Sequence, residues 1–293
     1  MRIVSLLPAA TEIVYALGLD DELVGVTFEC SEPARARTEK AVVVGGLDTT
    51  GLAPAEIDRL VRARAASGED LYTLHAGALR ELAPDLILSQ DLCQVCAVPA
   101  GQVELALATL GCQAEVLTLD PRRLDEVLAG IELIGQRTGV AERAAGFVDG
   151  LTSRLVDVGD AVAGRPQPRV AVLEWVDPPF QAGHWVPDLV EAAGGISVLG
   201  TAGGRSVPID WPQLAAAEPE VVLVAPCGFE LDAAVQQGGG VLDLLPAGVQ
   251  VWAIDADGLV VRPGPRLVDG VEAIAAILHP DAVAPHPSVR QLR

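Results

Sequence analysis

Cys93 and Cys96, three apart in the segment DLCQVC, have the most chemically suggestive spacing in this chain of 293 residues. A C-x-x-C pair can supply half of a metal site, form a redox couple, or fill space in a loop as inert thiols. Zinc needs four donors, so Cys30, Cys227 or His184 would have to complete the set, because no second C-x-x-C is present. The metal candidates are therefore Cys93, Cys96, Cys227 and His184. The same thiols can instead line a ligand. A thioredoxin-type pair is disfavoured, since no aromatic-flanked pair immediately opens a helix here.

His184 and Trp185 form the second chemical pair. Imidazole replaces water as an axial ligand of cobalt or iron, and indole buries a large area against a flat macrocycle. The plain alternative is a helix-start histidine satisfied by backbone, with Trp185 in the core and Asp188 capping that helix. Aromatic residues make up only 3% of the chain, so Trp175, Phe180 and Trp211 matter if they share a cleft. Trp252 is expected in the core. Arg262 and Arg266 flank Pro-Gly-Pro, and a guanidinium suits carboxylates, phosphates or the polar rim of a tetrapyrrole. Arg266 is expected to face solvent. Glu29 reads as an arginine partner, an oxygen donor or a solvated side chain. Thr11 and Glu12 open a helix and are expected to cap it themselves. Cys112 reads as a packed small hydrophobe.

Catalysis finds no motif. There is no G-x-S-x-G elbow, no Walker sequence and no H-E-x-x-H. The glycine-rich Ala202–Arg205 and Gln237–Gly240 stretches read as loops. A binding protein rather than an enzyme is expected.

Composition narrows the class. Half of the residues are apolar and few are aromatic, so the interior must be built mainly from Val, Leu, Ala and Ile. Twenty basic against 40 acidic residues leave a net charge of −20, which argues against nucleic acid and anionic membranes as partners. No apolar run reaches the roughly 18 residues of a membrane span, so no membrane insertion is expected. Met1–Leu7 enters a strand pattern at once, without signal-peptide regions. The expectation is a cytoplasmic protein, unless a leader was trimmed before Met1. Five cysteines do not form a disulfide framework, and reduced thiols are expected.

The elements that must position these residues alternate. Strands are expected at Arg2–Leu7, Glu22–Thr27, Ala41–Val44, Leu71–Thr73, Asp85–Ser89 and Ala114–Leu117, with helical patterns between them. Such alternation predicts parallel pairing with helices over the sheet. From Asp120 to about Val162 the pattern is helical, broken only at Thr138-Gly139. This reads as a stiff connector. A second α/β series then follows, with strands at Arg169–Trp175, Glu220–Ala225, Val249–Ala253 and, after an Asp257-Gly258 turn, Leu259–Val261. The predicted architecture is α/β: two Rossmann-like lobes with mostly parallel sheets, residues 1–119 and 166–293, joined by a helical spine at 120–165.

Ligands of open parallel sheets bind beyond the carboxyl ends of the strands. Pro8, Glu29, Cys30, Gln90, Cys93 and Cys96 follow strands of the first lobe. Trp175, Phe180, His184, Trp185, Ser206, Cys227 and Arg262 do so in the second. Four of five cysteines on one edge predict a cleft that holds a small molecule.

SLLPAATEIVYALGLDDELVGV resembles the opening of class III substrate-binding proteins, and GHWVPDLVEAAGG and PIDWPQLAAAEPEVVLV resemble later stretches of the same family. The resemblance covers Met1 to about Pro280. It implies two α/β lobes joined by a long helix and a corrinoid of the cobalamin type as ligand, with haem or another ferric chelate as alternatives, whereas zinc would belong to the cysteine and histidine donors named above. Exported members deliver ligand to an ABC importer. Without a signal peptide, the expectation is a cytoplasmic, cobalamin-binding branch with no importer. The rival expectation is a metal-thiolate or redox protein built on the cysteines and His184.

Overall fold

The computed structural model describes residues 1–67, 69–91, 100–110 and 113–293. The chain divides into two compact units, one of Met1–Asp120 with Ala129–Phe147, the other of Pro121–Leu128 with Val148–Arg293.

The first unit runs β1 (Ile3–Ser5), α1 (Pro8–Ala16), β2 (Leu23–Thr27), α2 (Ala36–Glu39), β3 (Ala41–Gly46), α3 (Pro54–Ser67), β4 (Tyr72–Leu74), α4 (Ala76–Leu82), β5 (Leu86–Ser89), α5 (Ala100–Leu110) and β6 (Glu115–Thr118). Its sheet has the order β4-β3-β2-β1-β5-β6, and every neighbouring pair is parallel except β3–β4. The order reverses at β1. Continuously apolar strands such as Leu86–Leu88 suit this position, because helices cover both faces of a parallel sheet. On one face Val4, Val43 and Ile87 pack against Leu79 of α4 and Val103 and Leu107 of α5.

Two helices then lead to the second unit, α6 (Leu124–Arg137) and α7 (Ala141–Val162). The expected near-continuous rod is corrected here. The α6 helix ends in a Schellman turn: Val140 N–H reaches Gly135 O at 2.8 Å, Gly139 N–H reaches Gln136 O, and Gly139 sits at φ +78°. A Cβ on Gly135 would lie 2.2 Å from the Cβ of Ala144, so the helices cross closely just after the turn. Only α7 is a long helix. Its residues are shared between the units, Ala141–Phe147 in the first and Val148–Val162 in the second.

The second unit contains β7 (Arg169–Val176), β8 (Pro179–Gln181), α8 (Val186–Ala192), β9 (Ile196–Ser197), β10 (Val207–Pro208), α9 (Trp211–Ala216), β11 (Val221–Val224), α10 (Leu231–Gly239), β12 (Gln250–Ile254), α11 (Ala256–Leu259), α12 (Leu267–Leu278) and β13 (Val289–Gln291). The sheet order is β10-β8-β7-β11-β12-β13, with β9 also beside β7. Strands β7, β9, β11 and β12 are parallel; β8, β10 and β13 are antiparallel to their neighbours. Ala171, Leu173, Val222, Val224 and Val251 build one buried face, and Trp211 packs against that cluster.

The α/β class and the long helix between two units are as expected. Two local expectations are corrected. Leu259 closes α11 instead of opening a strand, because Asp255 accepts the Gly258 N–H at 3.0 Å and caps a helical turn. Gln237–Gly239 ends α10 rather than forming a loop, and Gly238 packs closely there, since a Cβ would lie 2.5 Å from the end of the Leu292 side chain. Among the described residues no helix is long and apolar enough to cross a membrane.

Candidate ligand-binding site

In the second unit the sheet order turns at β7, with β8 and β9 on one side and β11 on the other. Loops from the carboxyl ends of β7 and β11 meet there. Cys227 N–H donates to Glu174 O at 3.0 Å, and the half-buried Trp175 ring lies 5.8 Å from Phe229, tilted by 50°. Such a tilted aromatic pair holds both rings in place without burying their outer faces. Phe180 on β8 stands opposite Trp175 in the ladder and so shares its face of the sheet. The exposed Cys227 lies between the two strand ends.

The loop after β12 completes the cluster. Asp257 N–H donates to Phe229 O at 3.1 Å, and the Asp257 carboxylate pairs with Arg262 at 2.6 Å. Both side chains are largely buried, 17% and 12% exposed. Burial raises the Asp257 carboxyl above the ordinary range, while Arg262 pulls it back down. Arg266, expected in solvent, is half-buried with its guanidinium against Gly258.

His184 follows β8 in a left-handed backbone conformation, φ +50°. Its N–H donates to Gly204 O at 2.6 Å and its carbonyl accepts Gly203 N–H at 2.9 Å. The preceding Gly183 N–H donates to Glu174 Oε1 at 2.9 Å. Burial lowers the His184 pKa, and the positive charges of Arg122 and Arg205 lower it further, which favours the neutral imidazole. Trp185 is not offered to a ligand. It is 5% exposed and its Nε1–H donates to Val260 O at 2.8 Å. Ser206 Oγ–H donates to Gln181 O at 2.8 Å, tying the following loop to β8. Asp188 caps a helix, but α6 rather than its own α8, through the Leu124 N–H at 3.0 Å. Trp252 is half-buried on β12 rather than enclosed.

In the first unit the order reverses at β1, whose end leads to Pro8 as the end of β5 leads to the buried Gln90. Phe28 beyond β2 packs 6.2 Å from Tyr72 of β4 and lies over Gly46, where a Cβ would meet its ring at 2.2 Å. Tyr72 O–H donates to Glu29 Oε1 at 3.5 Å. Cys30 does not line this edge. It is fully buried, with Sγ 3.0 Å from Thr11 Oγ1 and 3.4 Å from Thr27 N. Thr11, expected to cap its helix, instead turns its hydroxyl to Leu7 O and to this sulfur. Cys93, Cys96 and Cys112 lie outside the described residues. Among the described residues no three His, Cys, Asp or Glu side chains converge to hold a metal ion.

Phe28, Tyr72, Glu174, Arg122, Arg205, Asp257 and Phe229 were not singled out as site residues in the sequence. Phe229 was the most findable, two positions after Cys227. Arg122 and Arg205 come to His184 only through the folding of distant loops, and nothing local announces that.

Comparison with known proteins agrees with the fold. The chain is 26% identical over 290 residues to a protein of Bacillus subtilis described as an uncharacterized ABC transporter substrate-binding lipoprotein, YvrC, covering 96% of this chain and 80% of that one. It is 26% identical over 281 residues to the vitamin B12-binding protein of Vibrio cholerae, covering 94% and 88%. The crystal structure of a periplasmic heme binding protein from Pseudomonas aeruginosa superimposes with a TM-score of 0.72 at 23% identity, covering 99% and 97% of the two chains. The expectation of a cytoplasmic protein is overturned by the Bacillus subtilis relative, described as a lipoprotein, and by the family that the chain matches. Residues 3–239 match the family described as periplasmic binding protein, and the chain belongs to that family.

Proposed function

We propose that this protein is an extracytoplasmic carrier that takes a corrinoid of the cobalamin type and hands it to an ABC importer. The observation that carries the ligand class is the Trp175–Phe229 pair at the strand ends where the second sheet turns. A flat macrocycle has large apolar faces, and half-buried rings at a switch point offer it area without first being desolvated by a core. Family membership and the likeness to a vitamin B12-binding protein support the same class. Near the rings in the second unit, Ser206 and the Asp257–Arg262 pair are the polar groups proposed to meet side amides, with Phe180 and Cys227 as proposed apolar lining; in the first unit, Pro8, Glu29 and Gln90 at the strand ends are proposed ligand contacts.

Haem is a second reading, favoured by His184. A half-buried neutral imidazole can bind iron, and Arg122 and Arg205 beside it suit the carboxylates of a haem. The metal-thiolate reading turns on Cys93 and Cys96, which lie outside the described residues, and it is not proposed. Visible spectra decide between the ligands. Titration with hydroxocobalamin should give a saturable band shift, weakened roughly tenfold or more by Trp175→Ala, as loss of a stacked ring implies. A response to ferric haem alone, abolished by His184→Ala, would replace the corrinoid with haem.

A further inference from the structure

Residues Pro121–Leu128 belong to the second unit, and the Asp188 carboxylate of α8 binds both Arg123 and Leu124 of this segment. Asp188 takes Arg123 in a two-point grip, Nε on Oδ2 and Nη2 on Oδ1, each at 2.8 Å. Its Oδ2 also accepts the Leu124 N–H, the first amide of α6. The Asp188 side chain is only 10% exposed, so this planar, charge-assisted pair is partly shielded from water. Arg123 in turn lies over the loop that holds His184. A Cβ on Gly203 would touch Arg123 Cδ at 3.4 Å, and Gly203 and Gly204 are the residues that pair with the His184 backbone. Asp188 sits one helical turn beyond His184. A non-glycine residue at φ +50° persists only where its surroundings over-determine it.

We propose that Asp188 and Arg123 are positioning residues for the ligand loop: their pairing presses the chain before α6 onto Gly203 and thereby keeps His184 in its left-handed form. This inference rests on the reading of the His184 loop as part of the ligand site. It assigns the two residues no contact with ligand. Anchoring α6 alone would leave the loop indifferent to them.

Hydrogen exchange separates these roles without any ligand. In Asp188→Asn and Arg123→Gln the amides of His184, Gly203 and Gly204 should exchange about tenfold or more faster, with β7, β11 and β12 still protected. Affinity for hydroxocobalamin, or for ferric haem if only that binds, should fall roughly tenfold, and Arg123→Lys should recover part of it by keeping one ion pair. Unchanged exchange at the three amides in folded variants overturns the proposal. So does faster exchange with unchanged affinity. If the parent protein binds neither probe, the functional reading fails, while the amide measurement still decides the role of the pair.

Discussion

Asp257 and Arg262 show how a single pair at the strand ends trades burial against charge. The carboxyl of Asp257 titrates above its ordinary value because burial disfavours the anion, and Arg262 offsets that only in part. For an acid whose folded value is raised, the favourable contribution is present below the unfolded value and is lost as pH rises through the folded one. Above that point the fold carries a buried carboxylate, tolerable because the guanidinium is 2.6 Å away. Arg262→Ala should therefore cost about 3 kcal/mol near pH 7, where one partner is left buried alone. Near pH 4 the cost should be clearly smaller, since Asp257 then takes up a proton. Urea unfolding at both pH values checks this, and an equal loss at the two would show that packing rather than charge sets the cost. Arg262 was visible in the sequence because Pro-Gly-Pro marks its loop. Asp257 was not, because Asp-Gly reads as a hairpin turn whenever strands are expected on both sides.

That misreading belongs to the scale of elements. Asp255 competes for the chain by accepting the Gly258 N–H, and a helical turn replaces the hairpin. Strands in parallel sheets were legible because their apolar runs need no partner to announce them, as Leu86–Leu88 and Val221–Val224 illustrate. The short antiparallel pieces β8, β10 and β13 and the two-residue parallel β9 were not, since two or three residues carry no period. Glycine meaning also depends on contacts that no sequence displays. Gly135 and Gly146 look alike, each inside a helical pattern. The first faces Ala144 at a distance where a methyl group cannot fit, whereas nothing lies within 4 Å of a Cβ on the second. Gly135→Ala should destabilise the protein by about 2 kcal/mol through overpacking. Gly146→Ala should stabilise it by roughly 0.5–1 kcal/mol, the gain in helix propensity. Denaturant midpoints for the two variants should move in opposite directions; a shared direction would mean that the crossing of α6 and α7 tolerates the extra methyl.

Over the whole molecule, two α/β units were legible from the alternation of strand and helix patterns, whereas compartment was not, because a strand at the start of a folded chain carries no record of where the chain is sent. The charge of −20 has a consequence of its own. Many arginines are already engaged with carboxylates, including Arg35 with Asp20, Arg62 with Asp58, Arg123 with Asp188 and Arg154 with Asp269 and Glu272. The acidic excess is thus spread over surface that lacks cations to answer it. Salt weakens both terms. Exposed pairs contribute about 0–1 kcal/mol each, and their loss on screening is a fraction of that. Repulsion among the unanswered carboxylates acts over the Debye length, which shrinks from about 30 Å at 0.01 M to about 8 Å at 0.15 M salt. A long-range repulsion summed over the surface should lose more than a few short-range pairs, so added salt should stabilise the fold. The unfolding midpoint at pH 7 is expected to rise by a few degrees between about 0.01 M and 0.15 M sodium chloride, with sodium perchlorate as a check on ion-specific effects. A midpoint that falls over this range would mean that the arginine–carboxylate pairs, and not the acidic excess, dominate the electrostatic free energy of the fold.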